Sequence, residues 1–132
     1  MTEQLLQFIW QFQYYNKSSL QTVALEELQI IHAGMHNTNQ GPDFLNAKIK
    51  IGETIFAGSI EIHVKGSEWK NHNHSNDKNY NNVILHVVWE NDKDLALKFP
   101  TLELKNRVSN MLLEKYETLM NAQTFIDRKS VV

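Results

Sequence analysis

Asp43, Glu61, His63 and Lys65 are the residues of this 132-residue chain whose types and spacing can do chemistry together. Asp43 follows Gly41-Pro42, and Glu61, His63 and Lys65 alternate with Ile60, Ile62 and Val64. Side chains of a strand point alternately to opposite faces, so one strand would carry an apolar face and a reactive face. Two carboxylates offer the hard oxygen ligands that Mg2+ takes, usually one or two acids completed by water and substrate phosphate. An imidazole titrating near pH ~6.5 can orient or deprotonate a water, and a lysine can steady developing negative charge. The same residues also have a plainer reading: Asp43 stabilises its turn and Glu61 is an ordinary exposed strand residue.

Further candidates follow. His72, His74 and Asp77 hold enough nitrogen and oxygen ligands for a zinc-stabilised structural domain, or stand as second-shell or general-base groups, but they lie in a stretch in which half of positions 71–82 are Asn. A solvated polar loop is the competing reading. Lys48, Lys50, Lys65 and Lys70 would flank the acids as a local phosphate-contacting patch, although Lys48 and Lys50 equally suit the solvated face of a strand. Glu3 stands in the first turn of a helix, where an acid pairs with the helix dipole. His86 sits in an apolar run and is expected to be hydrogen-bonded in the core. Glu103 and Lys105 repeat the acid-x-base spacing without a Pro-Asp turn before them and read as surface.

The elements that must position these residues are legible by periodicity. Thr2 caps a helix predicted over 3–15, with Leu5, Phe8, Ile9 and Phe12 as its stripe. Residues 18–33 fit a helix almost as well as a hairpin; the β-branched pairs Thr22-Val23 and Ile30-Ile31 favour the hairpin. Pro42 fixes the direction in which Asp43 starts a strand, and Ala47, Ile49 and Ile51 alternate with Asn46, Lys48 and Lys50 along it. Gly52-Glu53 turns the chain into the Glu61 strand, so that Asp43 and Glu61 can approach across neighbouring strands. Residues 66–82 read as a loop or short surface helix pinned by Trp69. Val83 to Trp89 reads as a central strand buried on both faces. Thr101–Leu104 is a short strand, and Val108, Met111, Leu112, Tyr116, Leu119 and Met120 mark a last helix to about 122.

The string Gly-Pro-Asp-Phe-x-Asn-Ala-Lys-Ile, with Glu-Ile-His-Val-Lys and Asn-Val-Ile-Leu-His-Val-Val after it, resembles a bacterial family of uncharacterised proteins, the DUF2851-type family, over roughly residues 2–126. An acid after a Pro turn, then acid-x-base on a strand, also resembles the PD-(D/E)xK nuclease superfamily. That resemblance implies a restriction endonuclease-like α/β fold with an α-β-β-β-α-β core. It implies that Asp43 and Glu61 hold Mg2+ (or Mn2+), that His63 or Lys65 assists the attacking water, and that nucleic acid is the substrate. The departure from the pattern is His63, which stands where the superfamily has its base, usually lysine. Trp69-x-x-His72-x-His74 resembles the very-short-patch repair endonucleases, which makes His72 or His74 a candidate in the chemistry. A catalytically inactive module that binds nucleic acid or a protein partner is the alternative.

Composition bounds the rest. Hydrophobic residues make up 42% and charged residues 21%, as in globular domains, and the formal charge of −2 supplies no global attraction for nucleic acid, so any phosphate affinity has to be local. The absence of cysteine excludes disulfides and thiolate metal sites. Without a signal-like N-terminus or an apolar run of ~18 residues, a cytoplasmic protein is the expectation, with no membrane contact. The length fits one domain, expected over 1–126, with the N-terminal part of a longer protein as the alternative to a whole one, and an irregular tail at 127–132.

Overall fold

The computed structural model describes residues 1–71, 77–93 and 95–130. It is a mixed α/β structure: α1 (Glu3–Gln11), β1 (Leu28–His32), β2 (Met35–His36), β3 (Phe44–Ile51), β4 (Thr54–Lys65), α2 (Glu68–Asn71), β5 (Val83–Glu90), β6 (Thr101–Glu103) and α3 (Asn110–Ser130). The six strands form one sheet in the order β1-β3-β4-β5-β6, with β2 also paired to β3. Pairing is antiparallel on the β1 and β3 side of β4 and parallel from β4 through β5 to β6. No helix among the described residues is long and apolar enough to cross a membrane.

The middle strand is β4, not β5 as the apolar run at 83–89, interrupted only by His86, suggested. Both strands are buried on two faces. One face of the sheet carries Ile49, Ile60, Ile62, Leu85, Val87 and Leu102, and α1 lays Leu5, Leu6, Ile9 and Trp10 against it. The other face of β4 is covered by the segment after it, where α2 brings Trp69 down to 3% exposure. The expected split of β4 into an apolar and a solvent-facing side therefore does not occur at its centre. Glu61 and His63 are buried at 4% and 1% exposure, and only Lys65, at the strand end, is exposed.

Local chemistry explains the other departures. The first helix stops at Gln11 rather than 15, because Gln13 adopts φ 56° and its side-chain Nε2 donates to the Trp10 carbonyl at 2.7 Å, ending the helix on a tight turn. Tyr14 then stacks on Tyr116 of α3. The first arm of the expected 18–33 hairpin is reduced to a single bridge between Gln21 and Glu27. Thr22 is captured by a turn instead: its hydroxyl accepts from the Glu26 N–H, its N–H donates to the Glu26 carbonyl, and Leu25 takes φ 66°. Val108 is buried ahead of α3, whose entry is held by Leu112 N–H donating to the Ser109 hydroxyl, and the helix runs through Ser130, into the stretch read as a tail.

Gly58 marks the point where the 66–82 segment returns to the sheet. A Cβ there would lie 2.3 Å from the Asn82 carbonyl oxygen and 2.7 Å from Ile84 Cγ2. Both contacts involve atoms held by the start of β5, where Ser59 N–H donates to that same carbonyl. Gly58→Ala is expected to destabilise the chain by about 1–3 kcal/mol, the usual cost of overpacking, since the backbone on one side has to move. Urea unfolding of the variant checks this, and a wild-type midpoint would show that β5 can shift freely.

Candidate carboxylate site

Asp43 and Glu61 meet because β4 outruns β3. The ladder between them ends at the Phe44–Ile60 pair, and β4 continues five residues further. The next β4 N–H on that side, Ile62, is taken by the Asp43 side chain, with Oδ2 accepting at 2.8 Å. In return the Asp43 N–H donates to Glu61 Oε1 at 3.2 Å. A hydrogen bond to a charged group contributes about 1.5–3 kcal/mol and one to a neutral group about 0.5–1.5 kcal/mol, so the reciprocal pair fixes both carboxyls. The approach is set by Gly41 at φ 102°, a value only glycine adopts without strain, and by Asn37, whose Nδ2 donates to the Gln40 and Pro42 carbonyls.

A third element reaches the pair. Gln7 of α1 donates from Nε2 to Asp43 Oδ1 at 2.9 Å, so both Asp43 oxygens are occupied by uncharged donors. Nothing in the sequence pattern singled out Gln7. Its i, i+4 relation to Glu3 is the one signal available, because those spacings share a helix face. Glu3 adds its charge to the field at Glu61, which makes it more than a helix-dipole partner.

His63 lies beside Glu61, with Nε2 at 3.4 Å from Oε2, and its Nδ1 is 2.7 Å from His86 Nε2. Both ring nitrogens are thus engaged within the protein. Expected as a group facing water, His63 is a link in a buried chain, Glu61–His63–His86, beneath Trp69, whose ring meets His63 and His86 edge-on. His86 is hydrogen-bonded in the interior, as its place in an apolar strand suggested.

The remaining candidates are dispersed. Lys65 is four residues beyond Glu61, about 13 Å at a strand's rise, where the chain turns through Ser67 and Asp92; the lysine contributes to holding the Asp92 carboxyl below its usual range, after the Ser67 hydrogen bonds. Lys48 and Lys50 lie opposite Ala57 and Ile55, roughly 15–23 Å along β3 from Asp43, so they do not flank the acids. Lys70 is exposed on α2. His72 and His74 lie outside the described residues. Asp77 is exposed and caps the 3₁₀ turn Lys78–Tyr80 by accepting from the Asn79 N–H, and no group of three or more His, Asp or Glu side chains among the described residues is arranged to hold a metal ion. Glu103 accepts from the Asn91 N–H and serves the turn after β5.

Electrostatically the pair is loaded with negative charge. Burial, a hydrogen bond with Asp43 and the charge of Asp43 push the Glu61 carboxyl from 4.5 up to about 10. The Tyr80 phenol is raised to about 12 by burial and by Glu61, Asp43, Asp77 and Glu3. Its ring is held edge-on to Trp69, and the neighbouring Asn79 packs near Gly41. Two touching carboxyls can relieve such a field by keeping a proton between them or by sharing a cation. A divalent cation with hard-oxygen preference fits this donor set, two acids with room for water on the partly exposed Asp43 side. A cavity of ≈ 590 Å³ lined by residues such as Phe56, Ile84 and Phe99 lies elsewhere and includes neither acid.

In the absence of any cation, the folded protein keeps the Glu61 proton up to about pH 10, whereas an unfolded chain loses it near 4.5. Folding then takes up a proton between those values, so this group's contribution to stability falls as pH rises. In EDTA the stability difference between wild type and Glu61→Gln, which stays neutral, should shift in favour of the variant from pH 5 to pH 9. Urea titrations at three pH values test this; a difference that does not change with pH would show that Glu61 ionises freely.

No curated protein and no solved structure matches the chain. A family model described as "Protein of unknown function (DUF2851)" matches residues 3–131. With nearly its whole length matched, the chain belongs to the DUF2851 family.

Proposed function

We propose that this domain is a metal-dependent nuclease: Asp43 and Glu61 hold Mg2+ (or Mn2+), and the chain hydrolyses phosphodiester bonds in nucleic acid, on a restriction endonuclease-like version of its mixed α/β fold and in the cytoplasm. The observation that carries the reading is the mutual contact of the two acids, each oriented by the other's strand. The succession helix, strands, helix, strand that the nuclease resemblance implies is present with one strand more than its three before α2, and β6 and α3 follow it. Bound between the acids, a divalent cation would supply charge stabilisation to a transferring phosphoryl group.

The chain's own residues do the positioning. Gln7 and the Ile62 N–H aim the Asp43 carboxylate, while His63, braced by His86, aims that of Glu61. His63 acts through Glu61 rather than on water directly. Lys65 and Lys70, both exposed, are the lysines closest in sequence to the acidic strand's open end, and they are the groups proposed to meet phosphate.

Asp43→Asn and Glu61→Gln should each lower cleavage of a DNA and RNA panel in Mg2+ or Mn2+ by more than the about 10–100-fold typical of losing an outer-shell partner, with the far-ultraviolet circular dichroism unchanged. His63→Gln should lower the rate less and leave its lysine-dependent binding to the panel intact. The near-complete burial of Glu61 and His63 favours one second reading, a binding module without hydrolysis. Wild-type protein that binds the panel with steep salt dependence and cuts nothing would establish that second reading and discard the first.

A further inference from the structure

We propose that Gln7 is the positioning residue that reserves the Asp43–Glu61 pair for a divalent cation, because it fixes the Asp43 carboxylate with an uncharged donor where a lysine or arginine would neutralise it. This inference rests on the cation reading of the same site.

The geometry is specific. Facing a carboxylate oxygen at 2.9 Å, an amide can bond only through its NH2 group, so Gln7 Nε2 is the donor. The second Asp43 oxygen is held by a backbone N–H, which is also uncharged. Asp43 is thereby held at two points without losing its charge. The base from which Gln7 reaches is rigid: its neighbours Leu6 and Trp10 are fully buried, Trp10 Nε1 donates to the Ala33 carbonyl at 3.0 Å, and Thr2 caps the helix by accepting from Leu5 N–H at 3.1 Å. A carboxylate pinned by a rigid neutral donor pays little reorganisation when a cation arrives, which is the role that outer partners of metal ligands play.

Charge decides the rest. Glu3, one turn before Gln7, adds its charge to the negative field at Glu61. A cationic side chain at position 7 would satisfy that field permanently and remove the reason for a dication to bind. The two roles of the residue, donor and neutral, are separable by substitution.

Isothermal titration with Mn2+ of the full chain, Gln7→Met and Gln7→Lys, with thermal unfolding of each in EDTA, tests the proposal. Gln7→Met keeps the shape and loses the donor, so Mn2+ affinity should fall about tenfold or more, and the melting temperature in EDTA should fall with the lost hydrogen bond. Gln7→Lys brings a charged donor, so its melting temperature in EDTA should rise while Mn2+ binding is lost. A merely structural role would move stability and affinity in the same direction in both variants, so Gln7→Lys is the variant that separates the roles, and Gln7→Lys with both lowered overturns the inference. So does wild-type affinity in Gln7→Met, which decides the matter alone if the lysine variant does not fold. Wild-type protein that takes up no Mn2+ sinks the cation reading itself, an outcome distinct from wild type binding and both variants matching it.

Discussion

The structure depends on a strand that outlasts its neighbour. β4 is twelve residues long, β3 stops pairing with it at Ile60, and beyond that point the N–H groups on the β3 side have no ladder to join, while those on the other side pair with β5. An unmet buried N–H costs about 1–3 kcal/mol, and Asp43 removes that cost at Ile62 by offering a side-chain oxygen in place of a backbone carbonyl. The exchange puts a carboxylate at the sheet's centre. Everything chemical about the site follows from that substitution, because Glu61 is the adjacent β4 residue and its side chain returns the bond to the Asp43 N–H.

Burial on two faces then turns an ordinary acid-x-base strand into an interior network. On one side Ile60 and Ile62 pack under α1; on the other Glu61 and His63 lie under Trp69, which also contacts Tyr80 and Phe99. A polar pair inside a sheet needs partners, and the parallel neighbour β5 supplies His86 in register with Glu61. The helix supplies Gln7. Three elements from distant parts of the chain converge on two carboxylates, and burial first, then the approach of Asp43, raises the Glu61 carboxyl.

Much of this was legible in the residues. Alternation over 46–51 predicts β3 and its faces, though not the irregularity at Asn46 (φ 60°) that buries both Phe44 and Ala47; the Pro42 turn predicts where Asp43 begins, and the apolar run at 83–89 predicts a strand covered on both sides. Where the reading departed, a longer-range partner won over local pattern. Thr22-Val23 has strand-like residues, but the hydroxyl of Thr22 finds the Glu26 N–H nearer than any strand partner. The lysines at 48 and 50 looked close to the acids because strand parity gives the face of a residue and not its position along the sheet.

Sequence by itself determined that Glu61, His63 and Lys65 share a strand face, that Asp43 enters β3 from a fixed direction, and that the two acids come from neighbouring strands, since these follow from backbone periodicity, a proline's fixed φ and the Gly52-Glu53 turn. Tertiary structure alone decided that this face is covered rather than open, that His63 is tied to His86, and that a neutral glutamine from α1 holds Asp43. These are facts of which segments pack against which. Period and turn chemistry are properties of a few adjacent residues, whereas a side chain's surroundings depend on elements brought together from anywhere in the chain.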